Sequence, residues 1–82
     1  MEENMQALMD RLNSSSQFLQ SNDMRVTEVR HGFAKVEMII DEQILNIHGF
    51  VHGGALFSLA DTVAGAASFA TGRDSVTLTG TI

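Results

Sequence analysis

The stretch Leu45-Asn46-Ile47-His48-Gly49-Phe50-Val51-His52-Gly53-Gly54-Ala55-Leu56-Phe57-Ser58-Leu59-Ala60-Asp61-Thr62 leads from a loop into a segment, Gly53 to Gly72, whose only charge is the Asp61 carboxylate. Carboxylates are almost never buried unless they are paired or used, so Asp61, flanked by Leu59, Ala60 and Val63, is the first candidate for chemistry. The segment is long enough to raise a membrane span. An Asp at its centre costs ~3 kcal/mol on insertion scales, however, and Ser58, Thr62, Gly65 and Ser68 dilute its hydrophobicity. A buried helix of a soluble domain is the better reading. At 100° per residue, Leu56, Leu59, Ala60, Val63, Ala66, Ala67 and Ala70 form one apolar face. Ser58, Asp61, Thr62, Gly65 and Ser68 gather opposite. Gly65, one turn beyond Asp61, removes bulk beside the carboxylate, so a backbone or a ligand can come close.

Outward from this helix, 82 residues allow one domain, with a core so small that it needs support from elsewhere. There is no cysteine, hence no disulfide or thiolate chemistry. The net charge is −5, and Arg11, Arg25, Arg30, Lys35 and Arg73 never cluster. With neither Trp nor Tyr to stack on bases, this argues against nucleic-acid binding. The acidic start, Met1 to Asp10, has no basic segment followed by an apolar one, so no secretory signal is visible and the expected location is cytoplasmic. His48 and His52 lie four apart, but Gly49 intervenes and no third ligand stands at a suitable spacing. No metal and no cofactor are expected.

Met5, Leu8, Met9 and Leu12 recur at helical spacing, predicting a helix over residues 2 to 13 that breaks at Asn13-Ser14-Ser15-Ser16. Met24 to Arg30 and Phe33 to Ile40 read as two strands joined at His31-Gly32, the second alternating Ala34, Val36, Met38 and Ile40 against Phe33, Lys35, Glu37 and Ile39. Asp41 to Gly54 is a loop, and Thr71 to Asp74 stops the long helix with Gly72 near its C-terminus. Ser75 to Ile82 alternates again, predicting a third strand. The division expected is an N-terminal helical segment, 1–22, followed by an α+β unit, 23–82. A third strand that stops without a partner predicts that further sequence, or another copy of the chain, covers the remaining surface. Self-association is expected.

The quoted stretch resembles the signature of the hotdog-fold thioesterases, specifically the PaaI branch of phenylacetate degradation, because Asn46, the His52-Gly53-Gly54 triplet and Asp61 fall at the family spacing. The resemblance runs from about Met24 to Ile82. It implies a hotdog fold, an antiparallel sheet wrapped around a long central helix, of which only the N-terminal part is present. It implies hydrolysis of a small or aromatic acyl-CoA such as phenylacetyl-CoA, without a cofactor, in a homodimer or homotetramer. It further implies that Asn46 orients the thioester or water, that His52 shapes the loop beside the oxyanion site, and that Thr77 falls where relatives place a hydroxyl beside the catalytic acid.

The residues support this chemistry independently. Gly53 and Gly54 open a helix, where unpaired N–H groups and the positive end of the dipole face outward. A thioester carbonyl there would have its oxyanion stabilised, worth roughly 3 kcal/mol per donor. Asp61 could serve as general base on water or attack as a nucleophile. Eight residues at about 1.5 Å rise put Asp61 about 12 Å from Gly53, too far for both to meet one carbonyl. A two-fold dimer with antiparallel helices would bring Gly53 of one copy to Asp61 of the other. Gly54, Phe57, Thr62, Gly65 and Thr77 complete the candidate substrate contacts. Two alternatives stay open: a non-catalytic acyl-CoA binding or assembly module, and a hotdog dehydratase or isomerase, for which His52 is the only candidate base.

Overall fold

The computed structural model describes residues 2–73 and 75–81. Helix α1 spans Glu2–Ser15, and its periodic residues Met5, Leu8, Met9 and Leu12 pack onto the core. It outlasts the predicted break by two residues, and a short second helix, α2 (Gln17–Ser21), follows at once. Ser16 caps α2, its hydroxyl accepting from the Leu19 N–H at 3.4 Å. Gln20 closes the joint by donating from Nε2 to the carbonyls of Asn13 and Ser14, both at 3.0 Å. The run of serines, which reads as a terminator, therefore ends one helix and starts another.

Strands β1 (Met24–Arg30) and β2 (Phe33–Met38) form an antiparallel hairpin. Gly32, at φ 73°, supplies the turn residue that a side chain would disfavour. The register runs from Met24 opposite Met38 to Arg30 opposite Phe33, with an irregularity between Val26 and Glu28. Thr27 is the extra residue, and it shifts the inward face of β1 by one position. Met24 and Val26 are buried before it and Val29 after it. β2 ends at Met38, two residues short of the prediction, and Ile39 and Ile40 are exposed.

Asn13 ties α1 to β1. Its Oδ1 accepts from the Val26 N–H at 2.7 Å and its Nδ2 donates to the Val26 carbonyl at 2.9 Å. The side-chain amide thus stands in for a neighbouring strand at the free edge of β1. Helix α3 (Gly53–Phe69) lies across the hairpin. Leu19, Met24, Val26, Val29 and Ala70 form the buried cluster, joined by Leu59 from α3.

Two expectations are corrected. The long helix is not enclosed: within α3 only Ala66 is buried, and Leu56 and Phe57 are 48% and 39% exposed. A two-stranded hairpin and one amphipathic helix cover a single side of it, which is too little surface to wrap a 17-residue helix. Ser75 to Thr81 forms no strand among the described residues; Ile82 lies outside them. This segment is exposed and its sequence alternates as a strand would, but among the described residues no strand lies beside it to complete a ladder. What results is a small α+β unit of hotdog-like character.

Candidate active site

The approach to α3 is built by side chain to backbone hydrogen bonds. Asp41 caps a 3-10 turn, Glu42–Ile44, accepting from the Gln43 N–H at 3.0 Å. Asn46 then organises the next four residues: its Oδ1 accepts from the N–H groups of His48 at 2.9 Å and Phe50 at 3.1 Å. Its backbone N–H donates to the Phe50 carbonyl at 2.7 Å. Gly49 turns the chain at φ 83°. Asn46 is chosen for this loop because its short amide bonds the backbone two residues on, and Gly because the turn needs a left-handed residue.

His52 sits at the N-cap of α3 in extended conformation, φ −64° and ψ 136°, and its Nδ1 accepts from the Gly54 N–H at 2.8 Å. An accepting Nδ1 belongs to the neutral ring with its proton on Nε2. The His52 carbonyl takes the N–H groups of Ala55 and Leu56. Glycine at 54 lets the ring close without shifting, since a Cβ there would lie 3.0 Å from His52 Nδ1. Of the two glycines read as oxyanion donors, Gly54 is therefore already engaged. The Gly53 N–H has no protein acceptor among the described residues, and it remains as the outward donor at the positive end of a 17-residue helix.

Asp61 stands two turns along, and the hydroxyl of Thr77 donates to its Oδ1 at 2.5 Å. This contact is one of three that lay the extended segment antiparallel along α3. Ser75 and Ser68 share a hydroxyl hydrogen bond at 3.0 Å. At the other end, Gly80 comes so near Phe57 that a Cβ would lie 3.1 Å from the ring. Asp61 is exposed in the single chain, so the desolvation that singled it out in the sequence is absent here. Its position is fixed instead by the Thr77 hydroxyl.

Two cavities meet at the Asp61–Thr77 pair. One, about 450 Å³, lies between α3 and the N-terminal helices and is lined by Thr62, Gly65, Ala66 and Phe69 on one side and Leu12, Ser16, Leu19 and Val26 on the other. The second, about 380 Å³, lies toward Phe57, Ala60 and Ala64 under Leu78 to Thr81. Thr62 and Gly65 thus face the first and Phe57 the second. A Cβ at Gly65 would meet nothing within 4 Å, so the missing side chain is open space beside the carboxylate. Gly53 and Asp61 share one continuous helix, which keeps them about 12 Å apart. The contribution of Leu12, Ser16 and Leu19 to this cavity was not legible, because their spacing signals packing and nothing more. No cluster of potential metal ligands occurs among the described residues. No helix among them is long and apolar enough to cross a membrane.

The family described as Domain of unknown function (DUF4442) matches residues 6–79, and the chain belongs to it. An Archaeoglobus fulgidus protein named "Putative esterase" is 43% identical over 51 residues, 62% of this chain and 33% of that protein. The acyl-coenzyme A thioesterase PaaI of Escherichia coli is 51% identical over 37 residues, 45% of this chain and 26% of the enzyme. The structure of conserved protein PA5202 from Pseudomonas aeruginosa superposes with a TM-score of 0.71 at 34% identity, covering 78% of this chain and 54% of that one. The chain spans a third or less of the length of these two curated relatives. Its likeness to PaaI-like thioesterases, inferred from the motif, is thereby shown.

Proposed function

We propose that this chain carries the catalytic residues of a thioesterase that hydrolyses small or aromatic acyl-CoA, phenylacetyl-CoA among them, to free acid and CoA. The observation that carries the reading is the Asp61–Thr77 hydrogen bond, set between two cavities on a helix whose Gly53 N–H has no acceptor among the described residues. The partial likeness to esterase and thioesterase relatives supports the same class of reaction.

In this reading Thr77 donates to Oδ1 of Asp61 and leaves Oδ2 for water. Oδ2 takes a proton as the water oxygen bonds to the thioester carbonyl carbon. The carbonyl oxygen, now negative, accepts from the Gly53 N–H of a second copy, since one helix cannot present both groups to one carbon. The carbon–sulfur bond then breaks, the thiolate takes the proton from Asp61, and acid and thiol leave. His52 holds Gly54 closed against the N-cap, and Asn46 holds the loop that places His52. A dehydratase is disfavoured because Nδ1 of His52, the ring nitrogen nearest the helix, is occupied by the Gly54 N–H.

The test is thiol release from a panel of acyl-CoAs, phenylacetyl-CoA included, by the unmutated chain and by Asp61→Ala. Turnover that falls by ~10²-fold or more in the variant, with binding retained, supports a hydrolase whose chemistry depends on the Asp61 carboxylate. Binding without turnover in the unmutated chain replaces it with a non-catalytic acyl-CoA module.

A further inference from the structure

The cavity of about 450 Å³ beside Asp61 is not bounded by α3 and the hairpin alone. Leu12 comes from α1, Ser16 from the joint and Leu19 from α2, so the N-terminal helices form one side of it. That side is fixed in place. Asn13, next to Leu12, is bonded twice to Val26, which lines the same cavity and is 1% exposed. Gln20, next to Leu19, is bonded twice to the end of α1. Leu12 and Leu19, the apolar residues that the N-terminal helices present to the cavity, thus each adjoin an amide that holds the backbone.

The lining is mostly hydrocarbon, from Leu12, Leu19, Val26, Ala66, Phe69 and Val76, with the hydroxyls of Ser16, Thr62 and Ser75 among it. Its carboxylate, Asp61, is bonded to the Thr77 hydroxyl. An apolar cavity with a few convergent polar groups takes a ligand whose reactive carbon lies at the polar point and whose hydrocarbon fills the remainder. An engineered cavity of ~150 Å³ takes a benzene ring, so about three times that volume has room for an aryl-acyl group or a medium-length alkyl chain.

We propose that the acyl group occupies this cavity and that Leu12 and Leu19 of the N-terminal helices determine how long or bulky it can be. This rests on the thioesterase reading for the identity of the ligand, and the test separates the two. Kinetics of the full chain are measured on acyl-CoAs of increasing length, together with binding of non-hydrolysable S-alkyl-CoA thioethers of the same lengths. Leu12→Ala is expected to move the preference in kcat/KM and in thioether affinity toward longer groups. Leu12→Phe, which keeps an apolar residue on the packed face, is expected to move it toward shorter ones. Each shift should be of the order of 10-fold between neighbouring members of the series. Unchanged length profiles in folded Leu12→Phe overturn the proposal even if turnover is robust. Thioether profiles that shift in a chain without turnover uphold the cavity assignment and overturn hydrolysis, and absence of binding to any thioether overturns both.

Discussion

Hydrogen bonds from single side chains place the otherwise ordinary groups of the site. Asp61 was legible because a charge interrupts an uncharged helix, and His52-Gly53-Gly54 because of its spacing from it. The pairing of His52 Nδ1 with Gly54 was not, since capping depends on a loop whose shape Asn46 sets from outside the helix. The Thr77 hydroxyl orients Asp61 through a solvent-exposed hydrogen bond to Oδ1, and the carboxylate lines both cavities. Thr77→Ala should therefore reduce kcat about tenfold or more with KM little changed, while Thr77→Ser restores it. Equal losses in the Ala and Ser variants would assign Thr77 a packing role. Away from the site, hydrogen bonding with Asp41, then desolvation and Asp41's charge, holds the Asp23 carboxyl above its ordinary value of 3.8. A raised folded value means that this pair stabilises the protein fully in acid and ceases to do so as pH rises through it; at neutral pH the two carboxylates repel. Asp23 also has φ 55°, which Asn tolerates. Asp23→Asn should raise the melting temperature at pH 7 and leave it little changed near pH 3; a loss at pH 7 would refute the repulsion.

At the element scale, periodicity located α1, the hairpin and α3, and what it missed has specific causes. Ser14 to Ser16 reads as an end because hydroxyls compete with helical hydrogen bonds; the Ser16 cap and the Gln20 brace, seven residues from Asn13, convert it into a joint. The bulge at Thr27 is invisible because both faces of β1 carry plausible residues. The alternation of Ser75 to Thr81 is real, but strand formation requires a partner that periodicity does not supply. Asn13 is the element-scale hinge of the account. Asn13→Ala should cost about 2 kcal/mol, two hydrogen bonds at about 1 kcal/mol each, read by denaturant unfolding, and should loosen α1 from β1. Unaltered stability together with unchanged amide exchange at Val26 would show that α1 is held by its apolar face alone.

At the scale of the whole molecule, the composition foretold a core too small for its apolar content. The core formed by the hairpin, α1 and one end of α3 leaves Ile47, Phe50 and Leu56 exposed around the start of α3, at 95%, 71% and 48%. Those residues adjoin Gly53, the group that the proposed site needs from a second copy. The most direct measurement is complementation between two inactive chains. Gly53→Pro deletes the N–H at the first helical position, where proline is accepted, and His52 already holds the extended conformation that a residue before proline prefers. Asp61→Ala deletes the proposed base. Each variant alone should release thiol from acyl-CoA ~10²-fold more slowly or worse, while an equal mixture, unfolded and refolded together, should recover about a quarter of the unmutated activity, because half of the dimers then hold one intact site. A mixture as inactive as its components, beside an active unmutated chain, would contradict a site shared between copies.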